Sequence, residues 1–299
     1  MANRYFTDKY LARVEDKNTV LCAGLDPADY EMGRGEKGLG EGIWKKSWAL
    51  SYLEAVAPYC AAVKPNIQYW QGVGDIKELH EVEDLASSLG LAIIEDRKLA
   101  DIGSTNDAGM FFAAKGANAV TLAPYAGNIA EAAEMLEARE IGGIAMCLMS
   151  NPQYEREKRK WVPVSSEEAR GFNPVHIHDV GGSQKFVEQY IYLADQIERS
   201  GLAGLVIGAP SEKNHLTEEE LKNVRRYITN ERLILVPGVG AQGGGVDAFW
   251  KDGLFGSDRL IVNVGRGLMF PQGSKTTPRE QASVAKHFRD MLNEARKAA

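Results

Sequence analysis

The chain has 299 residues, of which 44% are hydrophobic and 25% are charged, a composition ordinary for a globular protein with a sizeable core. Its formal net charge of −6 argues against nucleic-acid binding, which would require a basic patch. The charged N-terminal segment does not read as a secretory signal, and no apolar run reaches 18 residues, so we expect a cytoplasmic protein without membrane contact.

Short apolar runs recur along the chain and are typical of buried strands. Together they predict eight strands. The runs are Val20–Leu25, Cys60–Val63, Leu91–Ile94, Ala117–Leu122, Gly143–Met149, Gly204–Ile207, Leu233–Val236 and Leu260–Val264.

Segments with helical spacing separate most of these strands, the alternation expected of a parallel sheet with crossover helices. They are Glu78–Leu89, Ile129–Ala138, Val187–Arg199, Glu218–Thr229, Val246–Trp250 and Pro278–Lys297. Eight strand–helix units favour an α/β fold of the (β/α)8 TIM-barrel type, as one domain over residues 1–299. An open, doubly wound sheet remains the alternative. The segment Tyr5–Asp16, within residues 1–18, predicts an extra helix that caps the bottom of the barrel.

The segment Ile94–Asp107 concentrates carboxylates and a lysine where the third strand should end. On a strand, Asp96 and Lys98 would point to the same face, with backbone positions roughly 6–7 Å apart. Asp101 cannot share that face, so the following loop must deliver it, either here or to a neighbouring site. The alternative interpretation is a solvated loop with an incidental ion pair. Polar residues at the ends of several other strands, including Asp26, Lys64 and Ser150, favour a functional site.

Two glycine-rich segments follow the last two predicted strands, at residues 237–245 and 264–267. Glycines there expose backbone N–H groups, and Arg266 adds a guanidinium suited to phosphate oxygens. The end of a barrel's last two strands is the usual place for a phosphate site. We therefore predict that this end of the barrel binds a phosphate group.

Several of these motifs resemble the orotidine 5′-phosphate decarboxylase family. Asp96, Lys98 and Asp101 match its Asp-x-Lys-x-x-Asp signature, and residues 237–244 resemble its phosphate-binding loop. Residues 25–27, 63–65 and 264–266 resemble its first-strand aspartate, second-strand lysine and phosphate-binding arginine. The similarity spans about residues 20–270, in the order of the family.

The resemblance implies conversion of orotidine 5′-monophosphate to UMP and CO2 in pyrimidine biosynthesis, without a cofactor or metal. The catalytic residues would be Lys64, Asp96, Lys98 and Asp101. In the implied homodimer, Asp101 and Thr105 would reach the partner's site. The remaining substrate-binding residues would be Asp26 for the ribose, Ser150 for the pyrimidine, and Gln242, Gly265 and Arg266 for the phosphate.

The chemistry of this reaction explains the charged cluster. Loss of CO2 leaves a carbanion at carbon 6, so the site must stabilise negative charge where it develops. Lys98 is placed to do so and then to protonate carbon 6, while Asp96 would face the departing carboxylate.

Two other functions remain open. Related barrels that act on sugar phosphates with Mg²⁺ share the Asp-x-Lys-x-x-Asp signature but place an acidic residue at the position of Lys64. A non-catalytic nucleotide-binding barrel would keep only the phosphate site. A Schiff-base aldolase fits less well, because carboxylates beside Lys98 would keep its amine protonated.

The remaining candidates have structural interpretations. The three cysteines, which lie in apolar runs, and the pair His176 and His178 are expected to pack rather than to bind metal. Residues 150–185 are longer than in compact members of the family and would form an extended loop over the active site. Within them, Lys158–Lys160 is predicted to form a solvated face.

Overall fold

The computed structural model describes residues 4–181, 184–239 and 245–298. Its strands are β1 (Leu21–Leu25), β2 (Ala62–Pro65), β3 (Ala92–Leu99), β4 (Ala119–Leu122), β5 (Gly142–Leu148), β6 (Trp161–Val164), β7 (His178–Asp179), β8 (Lys185–Glu188), β9 (Gly204–Ile207), β10 (Leu233–Pro237) and β11 (Leu260–Val264).

Eight of these strands close into a parallel barrel in the order β1-β11-β10-β9-β5-β4-β3-β2. β1 pairs with both β2 and β11, so the sheet has no free edge. The predicted TIM barrel is therefore confirmed, and the open sheet is excluded. Because all strands run in parallel, their carboxyl ends meet at one face of the barrel.

Helices surround the barrel, and none in the described ranges has the length and apolar composition needed to cross a membrane. They are α1 (Arg4–Lys17), α2 (Lys45–Val56), α3 (Asp75–Ser88), α4 (Gly103–Ala113), α5 (Ile129–Glu137), α6 (Tyr154–Lys158), α7 (Gln189–Ser200), α8 (Glu218–Arg225), α9 (Asp247–Trp250), α10 (Arg266–Met269) and α11 (Pro278–Lys297).

Helix α1 lies against the amino-terminal ends of the strands. It buries Phe6, Tyr10 and Val14. The Tyr10 hydroxyl donates to the carbonyl of Leu260, the first residue of β11, at 2.6 Å. Lys17 Nζ donates to two backbone carbonyls that follow α2 and α3, both at 2.8 Å. These contacts explain why the extra helix predicted at the bottom of the barrel is stable there.

Four helices, α2, α4, α6 and α10, were absent from the sequence prediction. Helix α4 contains Gly103 and Gly109 together with serine, threonine and asparagine, residues of low helix propensity. Helix α2 begins after Trp44, without a side-chain cap. Helix α7 begins later than predicted, because residues 185–188 form strand β8 instead.

Residues 150–185 contain α6 and two strands of a small antiparallel sheet with the order β6-β8-β7. Lys158 in this segment is completely buried, which contradicts the prediction of a solvated face. Its Nζ lies 2.5 Å from Glu220 Oε1 on α8 and donates to the His215 carbonyl at 2.9 Å. The carboxylate compensates the buried ammonium and ties this segment to the barrel. Arg159 and Lys160 are exposed as predicted.

The outer face of β3 carries a buried acidic pair. Glu95 accepts from Arg97 Nε, and Glu83 on α3 lies against Glu95. One oxygen of each carboxyl, Glu83 Oε1 and Glu95 Oε1, has no partner among the residues described. Burial and the neighbouring negative charge of Glu95 raise the pKa of Glu83 to about 9. At neutral pH Glu83 is therefore protonated, which removes one negative charge from the buried pair.

This pair predicts a pH dependence of stability. Between pH 4.5 and 9 the folded protein keeps a proton on Glu83 that the unfolded chain releases, so stability should fall as pH rises through this window. One proton corresponds to about 1.4 kcal/mol per pH unit. Glu83→Gln should remove this contribution to the pH dependence of the free energy of unfolding. Urea unfolding at several pH values between 6 and 8 measures that slope. Asp84→Asn, which changes an exposed carboxylate on the same helix, should keep the wild-type slope. An unchanged slope in Glu83→Gln would contradict the protonation of Glu83 in the folded protein.

Candidate active site

Strand β3 ends in an irregular turn that presents Lys98. The pairing register with β4 shifts between Glu95 and Leu99, and Lys98 adopts φ +50°. A positive φ is unfavourable for a lysine and requires support from its surroundings. The backbone N–H of Lys98 donates to Thr121 Oγ1 on β4 at 3.0 Å. Asp96 and Lys98 therefore meet as expected, but through a supported irregularity and not a regular strand.

Asp96 joins two lysines into one charged row. Its Oδ2 lies 2.5 Å from Lys64 Nζ, and its Oδ1 lies 2.6 Å from Lys98 Nζ. The Thr121 hydroxyl also donates to Oδ1, at 2.9 Å. Lys64 and Asp96 are buried, whereas the Lys98 side chain is 44% exposed. The predicted cluster at the carboxyl ends of β2 and β3 thus exists as a contiguous network.

The network keeps Asp96 ionised. Burial by itself would raise the pKa of this carboxyl, but the ammonium groups of Lys64 and Lys98 outweigh burial and lower the pKa to about 2. Burial would likewise lower the pKa of Lys64, yet Asp96 and Asp26 raise it above the ordinary value. The ion pairs of Asp96 stabilise the fold above the ordinary pKa of aspartate. This contribution is lost as the pH falls towards 2.

Two adjoining cavities open at this face of the barrel. The smaller, of about 190 Å³, contains the charged row, and its walls include Ser150 and the apolar side chains of Met146 and Leu235. The larger, of about 620 Å³, is lined by Asp26 and Arg266, and Pro237 borders both. The arrangement forms one elongated site, with a lysine–aspartate row at one end and a guanidinium at the other.

Close packing of β1 and β11 shapes the larger cavity. A Cβ atom on Gly24 would lie 2.7 Å from the Cα of Gly265, so the glycine at position 24 allows the two strand ends to approach. A Cβ atom on Gly265 would lie 3.3 Å from Asp26 Oδ2. The structure therefore brings Asp26, Gly265 and Arg266 to one cavity, as predicted. The predicted phosphate ligand Gln242 lies outside the described residues.

Asp101 and Thr105 are separate from this network within the chain. Both are exposed. The Asp101 carboxylate accepts from the backbone of Ile102 at 2.7 Å, and within the described ranges it forms no ion pair with Lys64 or Lys98. Asp101 is thus neither part of the charged network nor among the residues that line the two cavities of its own chain.

Sequence reasoning missed several residues at these cavities, among them Thr121, Arg34 and Lys37. Thr121 is the single polar residue of β4, and its position in an apolar run was the available signal. Arg34 and Lys37 line the larger cavity from the segment between β1 and α2. No strand end or motif marks them in the sequence.

The remaining candidates have packing roles. His176 Nδ1 lies 2.6 Å from the Tyr227 hydroxyl, and His178 stacks on Trp161. The cysteines are buried and unpaired. Over the described parts of the chain, no group of three histidine, cysteine or acidic side chains is arranged to hold a metal ion.

A closed barrel with an ionic row and a cationic pocket at the carboxyl ends of its strands defines a (β/α)8-barrel enzyme. The family model that matches residues 19–170, which are 152 of the 299 residues, is described as "Orotidine 5'-phosphate decarboxylase / HUMPS family". This chain belongs to that family.

Individual relatives agree with this assignment. The chain is 28% identical over 292 residues to an orotidine 5′-phosphate decarboxylase of Bordetella avium, covering 94% of this chain and 95% of the relative. It is 29% identical over 302 residues to that of Aromatoleum aromaticum, covering 98% and 100%. The solved OMP decarboxylase of Leishmania donovani has the same fold, with a TM-score of 0.70, 24% identity and full coverage of both chains.

The buried row predicts unequal effects on stability. Asp96→Asn leaves the buried Lys64 ammonium without its anion and should cost about 3 kcal/mol. Lys98→Met removes a partly exposed ammonium and should cost less than about 1 kcal/mol. Urea unfolding at pH 7 measures both. Equal losses would show that Lys64 does not depend on Asp96 for its burial.

Proposed function

We propose that this protein converts orotidine 5′-monophosphate to UMP and CO2 and functions in pyrimidine biosynthesis. The observation that carries the proposal is the row Lys64–Asp96–Lys98, with two lysines on one buried carboxylate. Membership of the family and the names of the relatives support the same activity. The three buried thiols fit the reducing cytoplasm, where we place the reaction.

The two cavities suit the two ends of the substrate. Arg266, joined by the sequence-predicted ligands Gln242 and Gly265, would hold the phosphate, and Asp26 would hold the ribose. Ser150 in the smaller cavity would contact the pyrimidine edge beside the apolar walls. This orientation places carbon 6 and its carboxylate at the charged row. Binding energy from the phosphate then positions the reacting carbon.

The row performs the chemistry as follows. The bond between carbon 6 and the carboxylate breaks, its electron pair remains on carbon 6, and CO2 leaves. The ammonium of Lys98 stabilises this charge and donates a proton to carbon 6, which gives UMP. Because the Lys98 side chain is 44% exposed, water can return the proton. Asp96, held ionised, opposes the substrate carboxylate, and this repulsion disappears as CO2 departs.

Lys64 distinguishes this reaction from the Mg²⁺-dependent chemistry of related barrels. Those enzymes need an acidic ligand at this position, whereas here an ammonium occupies it and pairs with Asp96 at 2.5 Å. A second cation beside the carboxylate would repel a metal ion. We therefore propose a reaction that needs no metal or cofactor.

We also propose a homodimer in which Asp101 and Thr105 complete the partner's site. Both residues are exposed and separate from their own network. The same segment exposes large apolar side chains, with Ile102 63%, Phe111 52% and Phe112 51% exposed. Exposed apolar groups of this size are typical of a protein–protein interface.

The test of the activity is the change in ultraviolet absorbance when chelator-treated protein is mixed with orotidine 5′-monophosphate. Conversion to UMP is expected without added metal. Absence of conversion, or conversion only after Mg²⁺ is restored, would overturn the proposal.

Substitutions should separate chemistry from binding. Lys98→Ala should lower turnover by more than about 10³-fold because it removes the proton donor, while UMP still binds. Arg266→Ala should weaken UMP binding by about 10- to 100-fold through the lost charged hydrogen bonds. Arg226→Ala, which changes an exposed arginine directly after α8 that lines neither cavity, serves as the control and should change neither quantity. Equal loss of turnover and UMP binding in Lys98→Ala would contradict the assigned roles.

A mixing experiment tests the shared site. Lys98→Ala and Asp101→Asn should each be inactive alone. Refolded together, they should recover about a quarter of wild-type activity, because half the dimers are mixed and each mixed dimer contains one intact site. If the mixture stays inactive while mixed dimers form, Asp101 acts within its own chain.

A further inference from the structure

The hydroxyl group of Thr121 forms two hydrogen bonds with the end of β3. Its Oγ1 accepts from the backbone N–H of Lys98 at 3.0 Å and donates to Asp96 Oδ1 at 2.9 Å. The single proton of the hydroxyl serves the carboxylate, and a lone pair of the same oxygen serves the N–H group. The hydroxyl therefore connects the backbone of Lys98 to the side chain of Asp96.

Strand β4 does not need this hydroxyl in order to fold. Thr121 is 2% exposed, and its neighbours in the strand, Val120 and Leu122, are apolar and equally buried. The backbone of β4 pairs with β3 and β5 whichever side chain is present. Valine has nearly the shape of threonine and would avoid the cost of burying a hydroxyl. The contribution of the hydroxyl is thus its connection to β3.

The connection lies where β3 is least regular. The pairing register with β4 shifts between Glu95 and Leu99, and Lys98 has φ +50°. A lysine leaves this conformation unless the surrounding contacts hold it. Without the hydroxyl, the backbone at position 98 loses this hydrogen bond, so it can relax towards negative φ and carry the Lys98 ammonium away from Asp96.

We infer that Thr121 is a positioning residue whose hydroxyl holds Lys98 at the reacting carbon, an inference that rests on the proposed function. The Lys98 side chain is 44% exposed, so packing around it restrains the ammonium little. Its position depends on Asp96 and on its own backbone, and Thr121 contacts both. A displacement of about 1 Å at a reacting group can lower the rate by roughly 10²-fold.

The test compares variants of residue 121 in the turnover of orotidine 5′-monophosphate and in UMP binding by calorimetry. Thr121→Val keeps the shape of the side chain without its hydroxyl and should lower kcat by about 10²-fold. UMP affinity should change by less than about twofold, because the lost interaction matters for the reaction and not for ground-state binding. Thr121→Ser keeps the hydroxyl and should restore kcat to within about threefold of wild type.

Thr19→Val is the matched control. Thr19 is also completely buried, and its Oγ1 accepts from the backbone N–H of Leu21 at 3.1 Å. It precedes β1 at the opposite end of the barrel and lines neither cavity of the site. Its substitution removes a similar hydrogen bond and should leave kcat unchanged. A loss of kcat as large as that in Thr121→Val would show general loosening of the barrel and overturn the inference.

Three kinetic results would contradict the role of the hydroxyl. They are wild-type kcat in Thr121→Val, equal losses of kcat in Thr121→Val and Thr121→Ser, and losses of kcat and UMP affinity of the same size in Thr121→Val. If Thr121→Val does not fold, Thr121→Ala, which needs no additional space, takes its place under the same criteria.

The crystal structure of Thr121→Val gives a result that does not depend on activity. Lys98 should leave φ +50°, and its Nζ should move away from Asp96 Oδ1. An unchanged position of Lys98 would overturn the inference even if kcat falls. A wild-type protein that does not decarboxylate orotidine 5′-monophosphate refutes the proposed function, while this structure still decides whether Thr121 holds Lys98.

Discussion

The burial of Asp96 as a charged group is the constraint on which the site depends. A carboxylate at this depth is unfavourable unless cations and donors surround it. Lys64 from β2 and Lys98 from the end of β3 supply the cations, and Thr121 from β4 supplies the donor. The carboxyl ends of β2, β3 and β4 must therefore keep fixed positions relative to one another along the barrel axis. The closed barrel provides that rigidity. The positive φ of Lys98 is tolerated because the same threonine holds its backbone.

Strand β3 is constrained from both sides. Its inward residues Asp96 and Lys98 form the row, while its outward residues Glu95 and Arg97 pair with each other behind it. Beyond them, the protonated carboxyl group of Glu83 on α3 lies against Glu95. Ionic contacts on both faces fix the strand against rotation and sliding. A catalytic group benefits from such support, because small displacements of reacting atoms lower the rate strongly.

The separation of the site into two cavities assigns different tasks to different parts of the barrel. Strands β2 to β4 supply the charges for the reaction, and β1, β10 and β11 form the walls that would hold sugar and phosphate. The close approach of Gly24 and Gly265 brings Asp26 and Arg266 to one pocket. Asn263 lies at the same pocket.

The sequence by itself favoured the barrel, since eight apolar runs alternate with helical spacing, and the pairing of β1 with β11 then excluded the open sheet. The polar residues at the strand ends indicated which face of the barrel carries the site. The sequence also located Asp96 and Lys98, because a two-residue period and a family motif are local properties. The helices α2 and α4 could not be predicted, because tertiary packing stabilises them against weak local propensity.

Only the tertiary structure decided which charges are buried and which residues share a pocket. Lys158 looked like part of a solvated run, yet its partner Glu220 lies more than sixty positions away. Arg34, Lys37 and Asn263 reach the cavity of Arg266 only when the barrel closes. The energy of a charge or an amide depends on its neighbours in space, and a sequence specifies only neighbours along the chain.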